Sequence, residues 1–156
     1  MRDRALEWLH FVGLDEFAAY PAGALAFGQQ KLVALARVLA SEADVLLLDE
    51  PTTFLDISHQ IDVLDLLTDL NRERGTTVAM VLHDLNLAAR YADHLVAMAG
   101  GRVIAAGDPG EVITEQTVRD VFGLDSRVVP DPLTGRPMVI PIGRHHTVVE
   151  PEQVAR

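Results

Sequence analysis

The 156-residue sequence is 49% hydrophobic and carries a formal net charge of −10, with 13 Lys and Arg against 23 Asp and Glu. That balance removes the electrostatic basis for holding a phosphate backbone across a wide surface, so nucleic acid is not an expected partner. The length suits one ordinary domain, the absence of cysteine excludes disulfides and thiol chemistry, and no apolar run reaches the roughly 20 residues that cross a bilayer.

The opening MRDRALEWLHF has neither the apolar core nor the small-residue cleavage site of a signal peptide, so a soluble cytoplasmic protein is expected. Residues 4–12 read as helical, and GLDEFAAYPAGAL as a broken connector. GQQKLVALARVLASEA then places Leu32, Leu35, Ala36 and Leu39 at helical spacing. A buried strand is expected at Val45–Leu48. DISHQIDVLDLLTDLNRER sets Ile57, Ile61, Leu64, Leu67 and Leu70 on one helical face, and Gly75 is placed to end that helix. TTVAMVL reads as a second buried strand, completing a strand-helix-strand unit with parallel neighbours. A helix from Asp84 to Asp93 and a hairpin turned at Gly100 and Gly101 follow. From Pro130 the chain reads as a short extended appendage, and the end as a loose tail. The fold class is α/β, with parallel strands and covering helices.

In such a sheet, ligands bind beyond the carboxyl ends of the strands. Asp49 and Glu50 leave one strand there, and His83 follows the other. This trio could hold a hard cation through Asp49, activate a water through Glu50 and meet a phosphate through His83. An acidic pair after a strand is often only a solvated loop start. Four preceding aliphatics, Pro51 behind the pair and His83 after a second strand favour the functional reading.

These residues carry a resemblance. VLLLDEP resembles the Walker B motif of the ATP-binding subunits of ABC transporters, TTFLD their D-loop and VLHDLN their switch-histidine segment, in family order and spacing. LAFGQQKLVALARVLA resembles the signature motif and its helix. The likeness runs from about residue 4 to Arg144, and VLHDLNLAARYADH with VFGLDSRVVPDPLTGRPMVIPIG is most similar to importers of iron-siderophores, haem or vitamin B12. It implies a P-loop NTPase (RecA-like) nucleotide-binding domain, of which residues 1–144 would be the carboxyl-terminal part and 145–156 a flexible tail. It further implies ATP and Mg²⁺ as cofactors. Asp49 would hold the metal through water, Glu50 would be the general base, and His83 would contact the γ-phosphate. Asp56 would lie where two such subunits close face to face. Ala26, Phe27, Gly28 and Gln29 would face the phosphate held by the opposite subunit. The implied partners are that second ATPase subunit and membrane permease subunits, at the inner face of the cell membrane.

Two departures stand out. Ala26 and Phe27 replace the serine and glycine with which the signature helix grips phosphate, removing a hydroxyl and adding a large ring. No Gly-x-x-x-x-Gly-Lys occurs: the only lysine, Lys31, lies inside the signature helix. The strand carrying that loop is missing too, which is expected to leave the switch-histidine strand with an open apolar edge. The sequence therefore supports an importer ATPase subunit lacking the P-loop half and inactive alone. It leaves open a non-catalytic regulatory or decoy module that pairs with an intact subunit, or the product of a truncated gene. The pair His145 and His146 has no third ligand nearby and is not expected to bind metal.

Overall fold

A computed structural model describes residues 2–145. The chain divides after Leu82 into two compact units. The first holds α1 (Arg2–Phe11), α2 (Phe27–Leu39), β1 (Val45–Asp49), α3 (Ile57–Arg74) and β2 (Thr77–Val81). β1 and β2 are parallel, in register from Val45 against Thr77 to Asp49 against Val81. Both strands therefore end at one rim, with Asp49 and Val81 side by side.

The helices form where the periodicity places them. Leu32, Leu35, Ala36 and Leu39 of α2 are all buried. α3 starts at the Asp56 cap, whose carboxylate accepts the His59 N–H at 3.0 Å. It ends at Gly75, which takes the left-handed φ of 70° that a closing residue needs. The buried face of α3 is Val63, Leu64, Leu66, Leu67 and Leu70. Ile57, expected on that face, is 80% exposed, because the helix begins more than a turn before its packed stretch.

Pleating sends Leu46, Leu48, Val78 and Met80 against the helices, where they join a core built around Leu32, Leu35, Leu67 and Leu70. Val45, Leu47, Asp49 and Val81 project the other way, and Leu47 is 78% exposed. The strands are thus buried on one face rather than both, since the helices of this unit cover only that face. Among the described residues the sheet has two strands, so β2 is paired along one edge only.

The second unit holds α4 (Leu85–Tyr91), β3 (Leu95–Ala99), β4 (Arg102–Gly107), α5 (Pro109–Val112), α6 (Glu115–Phe122), β5 (Ser126–Pro130) and β6 (Pro137–Pro141). β3 and β4 form the expected hairpin, turned at Gly100 and Gly101 with φ of 55° and 74°. Two successive positive φ values match the twist of the flanking strands. The segment read as an extended appendage is half of a second antiparallel hairpin, β5 with β6. Its four terminal positions are Ser126, Pro130, Pro137 and Pro141, and prolines at strand ends forfeit few ladder bonds.

α4 is fastened to that hairpin by polar groups. Asn86 donates to the Val139 carbonyl at 3.2 Å and accepts the Val139 N–H at 2.7 Å. Arg90 pairs with the buried Asp131, and Arg136 donates to the Ala92 carbonyl at 2.8 Å. The Asp131 carboxyl is held below its ordinary range by the Arg90 hydrogen bond and then by the Leu133 N–H. Ala89, Ile113, Val118 and Val139 form the apolar centre. Of the expected tail, residues 146–156, His146 among them, lie outside the described residues.

Candidate active site

The rim at the end of β1 is a tight turn. Glu50, directly after the strand, has φ 47°, and Phe54 has φ 68°. A left-handed backbone costs an L-residue about 1 kcal/mol or more, so the turn needs local support. The Glu50 carbonyl accepts two donors, the Thr53 N–H at 3.3 Å and Lys31 Nζ at 3.2 Å. Thr53 Oγ1 also donates to Glu50 Oε2 at 3.0 Å. Backbone and carboxylate of Glu50 are therefore both held, while Asp49 beside it is exposed.

Across this turn lies the start of α2. Ala26 occupies the N-cap with no side-chain oxygen to offer, and Gln29 Oε1 accepts the Ala26 N–H at 2.9 Å. Gly28 lies at a close approach: a Cβ there would stand 3.1 Å from the Phe54 carbonyl oxygen, a tight contact that the turn would have to yield to accommodate. Phe27, 58% exposed, meets Phe54, 70% exposed, edge to face with ring centroids 4.9 Å apart. Lys31 Nζ sits over both rings, 5.9 Å from the Phe27 centroid and 5.3 Å from that of Phe54. The first amides of a helix have no partners within it, so the N-terminus of α2 has anion-binding character, with the Phe27 ring beside it.

Asp56 follows the turn. Its carboxylate accepts from the His59 N–H, from Ser58 Oγ at 2.8 Å and from His59 Nδ1 at 2.8 Å. These donors, the His59 amide first, lower its pKa to about 2.

Ala26, Phe27, Gly28, Gln29, Glu50 and Asp56 thus belong to one unit, and Phe27, Gly28 and Glu50 are tied to the Glu50–Phe54 turn. His83 opens the second unit, two residues beyond β2, and is exposed. Capping of α4 falls to Asp84, which accepts the Asn86 and Leu87 amides at 2.8 and 3.0 Å. Sequence reasoning missed Lys31 and Thr53 as neighbours of Glu50. The signal for Lys31 was its spacing from Phe27, four residues along one helical face.

The donor types fit the cofactors that the family resemblance implies only in part. Asp49 offers a hard carboxylate oxygen suited to Mg²⁺ or its bound water, whereas the start of α2 carries an exposed phenylalanine ring and an N-cap without a hydroxyl to offer a phosphate. The P-loop cradle is not among the 156 residues. No helix among the described residues is long and apolar enough to cross a membrane.

The ABC transporter family model matches residues 1–53. The achromobactin transport ATP-binding protein of Dickeya dadantii is 54% identical over 136 residues, covering 87% of this chain and 51% of that protein. The ferric enterobactin transport ATP-binding protein of Escherichia coli is 48% identical over 132 residues, covering 85% and 49%. The cobalamin import ATP-binding protein of Halobacterium salinarum is 46% identical, covering 83% and 33%. Among solved structures, a metal-chelate type ABC transporter in an inward-facing conformation superposes with a TM-score of 0.76 at 26% identity, over 91% of this chain and 58% of that one. A dimeric ATP-binding cassette in a post-hydrolysis state with ADP and Pi gives 0.64 at 37% identity, over 68% and 46%. The chain spans about half the length of the curated relatives it matches. Over that span it has the P-loop NTPase fold of ABC cassettes and is similar in sequence to about half of the ATP-binding subunit of ABC transporters, most like those of siderophore, haem and cobalamin importers.

Proposed function

We propose that this chain supplies the water-activating and signature half of the ATP-binding subunit of an importer for an iron-siderophore, haem or cobalamin. The observation that carries the reading is the buttressed Glu50 at the end of β1, beside Asp49. Thr53 and Lys31 hold Glu50 against the relaxation that its left-handed φ invites. In this reading Glu50 takes the proton of the water that attacks a γ-phosphate, and Asp49 holds the metal-bound water. His83 donates toward the phosphate. Mg²⁺, when bound, supplies charge neutralisation on the phosphates. Asp56 and the start of α2 face a second ATPase subunit, and permease subunits bring the assembly to the inner face of the membrane. The dimeric cassette among the structural neighbours supports pairing with a second such subunit.

The test is complementation. An amino-terminal half from an intact relative, bearing the P-loop and its strand, is mixed with this chain, and phosphate release is followed. Turnover is expected in the mixture, with Glu50→Gln abolishing it while ATP binding persists. The chain by itself is expected to bind Mg-ATP weakly in equilibrium dialysis, and low-micromolar binding would contradict the reading. A second reading, a non-catalytic regulatory or decoy module paired with an intact subunit, is favoured by one observation, the exposed Phe27 ring at the signature position. An ATP-binding mixture with no turnover even after Ala26→Ser and Phe27→Gly would make it the better account.

A further inference from the structure

We propose that Lys31 is a positioning residue for Glu50 and that, through Phe27 and Phe54, it links the start of α2 to the water-activating turn. This deepens the reading of Glu50 above and rests on it. Glu50 sits at φ 47°, and the orientation of the peptide that follows it is set by what its oxygen accepts. One donor, the Thr53 N–H, belongs to the same turn and moves with it. The other, Lys31 Nζ at 3.2 Å, comes from a different element and is an external reference for the peptide plane.

The ammonium is in turn located by two rings. Both centroids are within the roughly 6 Å over which an aromatic face attracts a cation, at 5.9 Å for Phe27 and 5.3 Å for Phe54. The rings meet each other nearly at right angles, with an interplanar angle of 89°. Phe27 is the first residue of α2 and Lys31 lies one turn on, so the two side chains share a helical face. Phe27 is the first residue of α2, so in this proposal an anionic group that binds at the N-terminus of α2 shifts its ring. Displacement withdraws one of the two surfaces beneath Lys31 and alters its hold on Glu50. Events at the signature position, which in a dimer concern the partner's nucleotide, are thereby reported to the base that serves this chain's own.

The link is tested in the chain itself, labelled with ¹³C at the Glu50 carbonyl. Lys31→Met keeps the aliphatic bulk and removes the donor, and it is expected to move the Glu50 carbonyl resonance upfield. Lys31→Arg keeps both donor and ring contact and is expected to restore it. Phe27→Leu is expected to shift the resonance in the same direction as Lys31→Met, the two together giving less than their sum. Should Lys31→Met fail to fold, Phe27→Leu measures the same link. In the complemented mixture, Lys31→Met is expected to lower kcat on the order of 10², the cost of misplacing a reacting group by about an ångström, with KM for ATP unchanged and Lys31→Arg recovering most of the loss. An unmoved resonance in Lys31→Met overturns the link whatever the mixture does. A raised KM with kcat intact overturns the positioning role. A wild-type mixture without turnover, together with the expected resonance shifts, upholds the link and sinks the functional reading instead.

Discussion

Ala26 has no side-chain oxygen with which to cap α2, and Gln29 closes the N-terminal turn by accepting the Ala26 N–H at 2.9 Å. Ala26→Ser adds the missing acceptor and is expected to raise stability by about 1 kcal/mol, seen as a higher urea midpoint at constant slope. In the complemented mixture Ala26→Ser alone, which leaves the Phe27 ring beneath Lys31, is expected to speed turnover on the order of 10², the usual cost of losing one donor to a developing anion. Asp56 makes a pH prediction. Its carboxyl is lowered from an ordinary 3.8 to about 2 by the His59 amide and Ser58. Its contribution to stability is therefore complete above the ordinary carboxylate value and lost as pH falls from there through about 2. Ser58→Ala is expected to move the Asp56 titration upward, as read from its side-chain carbonyl resonance. A titration unchanged in Ser58→Ala would mean that the His59 groups hold the carboxylate unaided.

The carboxyl-terminal hairpin is held to α4 by side chains that no apolar period announces. Asn86 satisfies both backbone groups of the buried Val139, so Asn86→Ala leaves a buried donor and acceptor without that partner and is expected to cost about 2 kcal/mol. Thermal unfolding of the variant measures this. The same contrast explains what was legible from residue order. α2 and α3 each present a stripe of Leu at helical spacing, with Gly75 as a stop, and the Gly100–Gly101 pair marks a turn whose backbone few other residues adopt. α5 and α6 escaped notice because, at four and eight residues, they are too short to show a periodic stripe, α5 burying Pro109 and Val112 and α6 Val118. β5 escaped because its partner strand begins and ends in proline, which reads as an end to structure. At the candidate site, Asp49 and Glu50 could be placed from the end of a strand alone. Thr53 and Lys31 could not be, since turn geometry and a contact between elements nineteen residues apart set their roles.

For the molecule as a whole, the open face of the first unit matters most. Val45, Leu47 and Val81 are all exposed on it, and β2 carries a row of backbone donors and acceptors without a strand beside them among the described residues. Such a surface pairs with whatever strand it meets. Purified alone, the chain is expected to self-associate. Leu47→Lys removes the most exposed of these side chains without touching the packed face, and it is expected to weaken association about tenfold, from the loss of burying one Leu. Sedimentation velocity over a concentration series decides it, and a monodisperse monomer would show that the edge is covered by other means.

The left-handed backbone at Glu50 also shapes which replacements can be read as chemistry. At φ 47°, valine, isoleucine and threonine would be rejected for their branched Cβ before any question of acid or base arose, and glycine would relax the turn while deleting the carboxylate. A saturation library at this position therefore reports two selections at once, one on conformation and one on ionisation. Asparagine and aspartate tolerate the left-handed region, so the step from Glu50→Asp to Glu50→Asn changes charge with the backbone demand nearly constant. That pair, rather than an alanine, isolates the carboxylate from the turn that carries it.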